Sequence, residues 1–278
     1  MNFKTLKAMF VLCAAFMMVA AFAGDPHQAS KGKLKKIANG DHRSDENKAR
    51  NEFRHPVETL SFFGVKEDMT VVEIWPGGGG WYLEILAPYL KDKGTYIAAS
   101  FSKEPQHKYA EYFRKANEKL AAKLDGDKKN YGKVKVTEFF PANDVASLGP
   151  KGEVDMILTF RNLHNWAPDY NKAMRAFYDH LKPGGVLGLV EHRTTDKQDP
   201  EAASGYMNQA YVIEMAKKAG FELVDKSEIN ANPKDTAKHE KGVWTLPPTY
   251  ALGEKDKAKY SSIGESDRMT LKFVKPKK

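Results

Sequence analysis

The stretch Val71-Val72-Glu73-Ile74-Trp75-Pro76-Gly77-Gly78-Gly79-Gly80-Trp81-Tyr82-Leu83 constrains this chain more than any other. An apolar strand carrying one acid, Glu73, runs into four consecutive glycines and then into a helix. Glycine admits positive φ and lets a ligand approach the backbone closely. The free N–H groups and positive dipole end of the following helix suit an anionic group. A tight strand-to-helix turn with no ligand is the other reading, but four glycines cost backbone entropy that such a turn would avoid. The dinucleotide pattern G-x-G-x-x-G fails in both registers, because its sixth position is Tyr82 or Leu83. That weighs against a nicotinamide-dependent oxidoreductase. A phosphate-binding Gly-Lys-Ser/Thr is also missing, since Trp81-Tyr82 follows the glycines.

Apolar runs and turn residues extend the pattern on both sides. They predict strands at Thr70–Trp75, Thr95–Ser100, Val134–Phe139, Val154–Phe160, Val186–His192, Phe221–Ile229 and Arg268–Val274. The predicted helices are Trp81–Leu90, Gln106–Lys123, Asp169–Leu181 and Gly205–Ala219. Continuous apolar strands such as Met156-Ile157-Leu158 require cover on both faces. Alternating strands and helices then give an α/β fold: a doubly wound, mostly parallel, seven-stranded sheet. Within the second helix, Tyr109, Phe113, Ala116 and Leu120 share a face read as core packing. Residues 230–264, rich in Lys, Pro and Gly, read as a long loop or flap before the last strand.

The first residues read as an export signal. Lys4 and Lys7 precede an apolar run from Ala8 to Phe22, and Ala21-Phe22-Ala23 offers a small-x-small cleavage site. The run is shorter than the ~20 apolar residues that span a bilayer, so the expectation is a periplasmic or secreted protein without stable membrane insertion. Cleavage after Ala23 would remove Cys13, the single cysteine. That excludes a disulfide framework and a cysteine-based metal site. The expected organisation is a signal peptide over 1–23, a polar helical extension over 24–56, and one domain over 57–278. The net charge of +8 suits anionic partners, yet no nucleic-acid module is recognisable, so no nucleic-acid partner is expected.

On the residues just quoted, the chain resembles the class I S-adenosylmethionine-dependent methyltransferases. Their first motif is an acid on the first strand followed by Gly-x-Gly-x-Gly. Glu73 matches the acid, Gly77 and Gly79 match the second and third glycines, and Trp75 stands where the first is expected. The Pro-Gly-Gly-Gly turn with Ile-Leu-Ala-Pro-Tyr-Leu at Ile85–Leu90 is similar to an exported group of predicted methyltransferases. The likeness runs from about Thr59 to Val274, with Leu181-Lys182-Pro183-Gly184-Gly185 and Asp155 as further shared features. It implies S-adenosylmethionine as cofactor. The turn Pro76, Gly77, Gly78, Gly79 would pass under the methionine end, and Glu73 would orient its amino group. Asp144, in Pro-Ala-Asn-Asp-Val-Ala-Ser-Leu, would lie near the adenine amino group; a helix cap is its other reading. The ribose acid expected after the second strand is replaced by Ala98-Ala99-Ser100-Phe101-Ser102, leaving Ser100, Ser102 or Glu104 for that role.

Ligands of doubly wound sheets bind beyond the carboxyl ends of the strands. Two polar clusters fall there: Arg161-Asn162-Leu163-His164-Asn165-Trp166 and Glu191-His192-Arg193. His164 and His192 are the candidate bases for an O–H, N–H or S–H acceptor. Arg161 and Arg193 suit an anionic acceptor, and Arg161 and Asn162 also border the expected cofactor. Trp166 reads as pocket wall or as core. The set His42, Arg43, Arg50, Arg54 and His55 reads as a solvated basic face, or else as a lid over the pocket. No metal-ligand spacing appears, so no metal is expected. The combined expectation is a methyltransferase acting on a small or anionic acceptor, with a non-catalytic ligand-binding protein of the same fold as the alternative.

Overall fold

The computed structural model describes residues 26–104 and 109–277. The expected export signal, its expected cleavage site and Cys13 lie outside those residues. Nine strands form one sheet: β1 Thr70–Ile74, β2 Thr95–Ser100, β3 Lys135–Phe140, β4 Val145–Ala146, β5 Val154–Phe160, β6 Leu181–Thr194, β7 Met207–Asn208, β8 Glu222–Ser227 and β9 Arg268–Val274. Their order is β4-β3-β2-β1-β5-β6-β9-β8, with β7 paired to β6. The chain leaves β1 toward β2 and β3, then crosses back to β5 and β6, so the order reverses beside β1. β3, β2, β1, β5 and β6 are parallel, while β9 runs antiparallel between β6 and β8.

Seven of these strands are those expected. The two additions, β4 and β7, are two residues each and pair only at the margins of β3 and β6. Such short segments carry no apolar periodicity. β1, β2, β5, β6 and β9 are largely buried. Val72 and Ile74 enter one core cluster with Phe113, Phe177 and Val212; Val71 enters the other with Leu34, Leu60 and Leu86. Helices therefore cover both faces, as the continuous apolar runs require.

Several boundaries move. The helix after the glycine turn is Leu83–Leu90, because residues 77–82 form turns first. The next is Ala110–Gly126, with Phe113, Ala116 and Leu120 buried; Tyr109 precedes it and is exposed, so it is not part of the core face. Residues 230–264 contain a 3-10 turn at Gly242–Thr245 and a helix at Lys257–Ile263. Among the described residues no helix is long and apolar enough to cross a membrane.

The segment before β1 is fastened to the helix that follows the glycines. Arg43 and Arg54 lie on the Trp81 ring, each with its guanidinium 4.7 Å from the centroid. Trp81 Nε1–H donates to Asn47 O at 3.0 Å. Arg43 Nε donates to Glu84 Oε2 at 3.0 Å, and Asn47 and Lys123 also reach that carboxylate. Arg43 and Arg54 are buried, so they are not part of a solvated face; the charges are spent on Glu84 and on the site below. This clamp sets Arg50 and Arg54 above the carboxyl end of the sheet.

Removing one partner of a buried ion pair leaves an uncompensated charge. Glu84→Ala is expected to destabilise the chain by about 3–5 kcal/mol, read as a lowered urea midpoint. A loss below about 1 kcal/mol would show that the clamp is dispensable.

Candidate active site

The carboxyl ends of β1, β5 and β6 open into a cavity of about 410 Å³. Its walls include Arg50, Arg54, Arg161, Asn162, His164 and His192, with Trp75, Phe101 and Phe113 at one side. Trp244, Pro247 and Pro248, from residues 230–264, form the opposite side, and Glu265 and Ser266 precede β9. The stretch read as a flap is thus a cavity wall.

Glu265 is the electrostatic centre. Arg50 Nε donates to its Oε1 at 2.6 Å, Arg54 Nε to Oε2 at 3.2 Å, and Arg268 Nη2 lies 3.3 Å from Oε2. Burial raises the pKa of Glu265, but Arg54, Arg268, Arg50 and Arg161 outweigh it and hold the carboxyl at about 2. The arginines crowd one another. Burial and then Arg161 push the pKa of Arg54 well down, and burial lowers Arg268 to about 10 against the pull of Glu265. Arg161 follows β5 with φ +60°. It makes no ion pair or side-chain hydrogen bond among the described residues, and its Nη1 is buried without a partner; so is Nη1 of Arg268. Buried N–H groups are normally satisfied. Three guanidinium groups therefore share one carboxylate, and a fourth, that of Arg161, has no acid of its own.

The two histidines sit beside this cluster, with ring centroids 5.5 Å apart. Glu191, fully buried, binds both segments. It accepts from the His164 backbone N–H at 3.3 Å and the His192 backbone N–H at 2.8 Å, and it meets His164 Nδ1 at 3.1 Å. A carboxylate only accepts, so Nδ1 carries the proton and Nε2 is left as the basic nitrogen. His192 Nδ1 meets Ser266 Oγ at 2.6 Å. Burial first, then His164, Arg161, Arg268 and Arg54, push its pKa well below 6.5, so its ring is neutral near pH 7. Ligand atoms of His164, Glu191 and His192 lie within 4.8 Å of one another, a spacing open to a metal ion. The surrounding guanidinium groups make the field there favour an anion instead.

Of the residues singled out from sequence, Arg161, Asn162, His164 and His192 come together in the cavity. Asn162 Nδ2–H donates to Ile74 O at 2.8 Å and ties the end of β5 to β1. Arg50, Arg54 and Asn165 line it with them; the following do not. Pro76, Gly77, Gly78 and Gly79 form the turn but do not line the cavity. A Cβ on Gly78 would stand 3.0 Å from Ala116 O, so the helix Ala110–Gly126 lies against that residue. Glu73 is buried under the sheet end and accepts from Tyr96 O–H at 2.5 Å. Ser100 Oγ donates to Asn117, Ser102 is buried, and Glu104 is exposed. Asp144 is exposed outside the cavity and pairs with Lys172 at 3.2 Å. Arg193 is committed to Asp267 and Glu228, at 2.8 Å each, and is not free to grip a ligand. Trp166 is core, against Trp75, Phe139 and Phe177. Glu265, Ser266, Arg268 and Trp244 carry site geometry that no sequence motif announced, while Glu191 was expected only as a member of the cluster Glu191-His192-Arg193.

Trp75 decides how an S-adenosyl group fits. It is a bulky residue at φ +48°, a conformation that costs non-glycine residues roughly 1–2 kcal/mol. Its indole Nε1–H donates to Phe139 O at 2.6 Å, so the ring reaches from β1 across the end of β2 to β3. Phe101, Phe113 and Trp166 pack on it with centroids at 4.7, 5.7 and 5.5 Å. With the indole there, and with Glu73, Ser100 and Asp144 engaged elsewhere, the residues present do not fit the nucleoside as the resemblance arranges it. The arginine–histidine side remains open to a small ligand.

Burial holds the Glu73 carboxyl up at about 7, against the Tyr96 hydrogen bond and the charges of Arg161 and Arg54. The unfolded chain loses that proton near 4.5, so stability falls as pH rises from 4.5 to about 7. Glu73→Gln keeps an acceptor for Tyr96 and removes this slope. The variant should gain on the wild type by about 3 kcal/mol between pH 5 and pH 8 in urea melts; a constant difference would contradict the assignment.

Comparison with known proteins places this geometry in a family. The model of a methyltransferase domain matches residues 46–226, well over half the chain. No curated protein matches the sequence. Among solved structures, a SAM-dependent methyltransferase from Aquifex aeolicus is similar at TM-score 0.54 and 18% identity, covering 91% of this chain and 99% of that one. The [4+2]-cyclase SpnF reaches 0.57 at 16% identity, covering 92% and 98%. Phosphoethanolamine N-methyltransferase 2 of Haemonchus contortus, solved with S-adenosyl-L-methionine, reaches 0.53 at 16% identity, covering 89% and 57%. These likenesses establish a shared Rossmann-like sheet. By the family match, this chain belongs to the methyltransferase domain family.

Proposed function

We propose that this chain transfers a methyl group to a small anionic acceptor held in the arginine–histidine cavity. The observation that carries the reading is Arg161, a cation with no acid partner among the described residues, lining a cavity beside two histidines. S-adenosylmethionine is the donor that the family implies, and it would supply an electrophilic methyl group. On this reading Arg161 and Arg54 hold the acceptor's charge through strong, charge-assisted hydrogen bonds. Trp244 and Phe160 wall its apolar part. Nε2 of His164 takes the proton of the acceptor's O–H, N–H or S–H, and Glu191 holds the ring and stabilises the imidazolium. Export through residues 1–23 belongs to the same reading and rests on the composition of that segment.

A second reading is a non-catalytic protein that binds a small anion on the same fold. Trp75 in the nucleoside's path favours it, and a fold of this kind does not dictate one chemistry. Incubation of the chain with methyl-labelled S-adenosylmethionine and a panel of small carboxylates, phosphates and neutral isosteres separates the two. Methyl transfer predicts label in at least one anion and in no neutral isostere. Arg161→Met should then raise KM by roughly 30-fold, and His164→Gln should lower kcat by about 100-fold. Anion binding by calorimetry with no label in any acceptor would leave only the second reading.

A further inference from the structure

We propose that Trp75 is the residue that sets ligand specificity at the crevice: its indole occupies the place of a purine, and an adenosyl ligand enters only by displacing it. The proposal rests on the methyl-transfer reading for its choice of ligand, but its test separates the two. In a doubly wound sheet, a nucleotide lies across the carboxyl ends of the strands where their order reverses. That point here is the end of β1, between β2 and β5. The residue at that end is Trp75, and its ring runs along the same line, over Phe101 at the end of β2, to the carbonyl of Phe139 in β3. Indole and purine are both flat fused rings of five and six members. Indole donates from its ring N–H and adenine from its amino group, and here the indole N–H already uses the Phe139 acceptor at 2.6 Å.

Three further observations agree. The residue is only 8% exposed, so its indole is held among Phe101, Phe113 and Trp166 and is not swung out into solvent. Ser100 Oγ, at the end of β2, already donates to Asn117 Oδ1 at 2.7 Å. Asp144, the acid after β3, pairs with Lys172 outside the cavity. A glycine at position 75 would accept φ +48° without strain and would empty the crevice. The bulky residue thus costs the chain conformational energy and excludes a guest at the same place. Whatever fraction of molecules has the indole displaced multiplies the intrinsic affinity for an adenosyl ligand.

The test is calorimetric titration of the chain with S-adenosylhomocysteine, using wild type, Trp75→Gly, Trp75→Asn and Trp75→Phe. Asn tolerates positive φ and serves if the glycine variant does not fold, as judged by circular dichroism. Trp75→Phe keeps an aromatic filler. The expected result is at least about tenfold tighter binding by the Gly or Asn variant than by wild type, with Phe close to wild type. A silent wild type beside a binding variant would uphold the proposal and remove the donor from the methyl-transfer reading. Equal affinities in wild type and variants would overturn the proposal and leave that reading standing. No binding by any folded variant would overturn it too, because the indole would then not be what excludes the nucleoside.

Discussion

A single buried carboxylate organises the functional end of this molecule. Glu265 gathers Arg50 and Arg54 from before the sheet and Arg268 from the last strand in chain order, residues more than two hundred positions apart. Burying so many cations is costly unless each finds a partner. Glu265 stays ionised throughout the physiological range and offsets part of that cost. The clamp on Trp81 and Glu84 holds Arg54 in place from the other side. Arg161 completes the ring without an acid of its own, so the field in the cavity points to a missing negative charge. Charge that the protein does not supply is what a ligand can bring.

The sheet was legible because its signal is local. Continuous apolar runs such as Val154–Phe160, and turn chemistry such as Gly77-Gly78-Gly79-Gly80, act over a few residues. Strand pairing then follows from the few connections a doubly wound sheet allows. The histidines and Arg161 were legible for the same reason, since Arg161 and His164 follow β5 and His192 lies near the carboxyl end of β6. Glu265, Ser266 and Arg268 were not. Their meaning depends on β9 inserting between β6 and β8, which brings residues 265–268 beside Arg50 and Arg54. No spacing in the chain encodes that contact. Arg50 and Arg54 were open to two readings, a solvated face or a lid, and the choice between them was not legible because their partner Glu265 lies so far along the sequence.

The glycine turn shows how a motif and its geometry part company. The pattern from Glu73 to Gly79 resembles a cofactor loop, yet one departure, Trp75, redirects the site. Its side chain takes the line a nucleoside would follow, and Glu73 serves as a buried, partly neutral acid under Tyr96. The glycines still do structural work of a plain kind: Gly77 and Gly80 take positive φ, and Gly78 lets the helix Ala110–Gly126 approach. The family's fold is retained, and the cavity opens on the arginine–histidine side.

The central claim is that this cavity is built for an anion, with Arg161 as its unpaired contact. The most direct measurement is a crystal structure of the chain soaked with a small carboxylate, beside one soaked with a neutral amide of the same shape. The account predicts the carboxylate seated between Arg161 and Arg54, near His164, and no amide there. A carboxylate bound elsewhere, or Arg161 found paired with an acid of the protein itself, would contradict it.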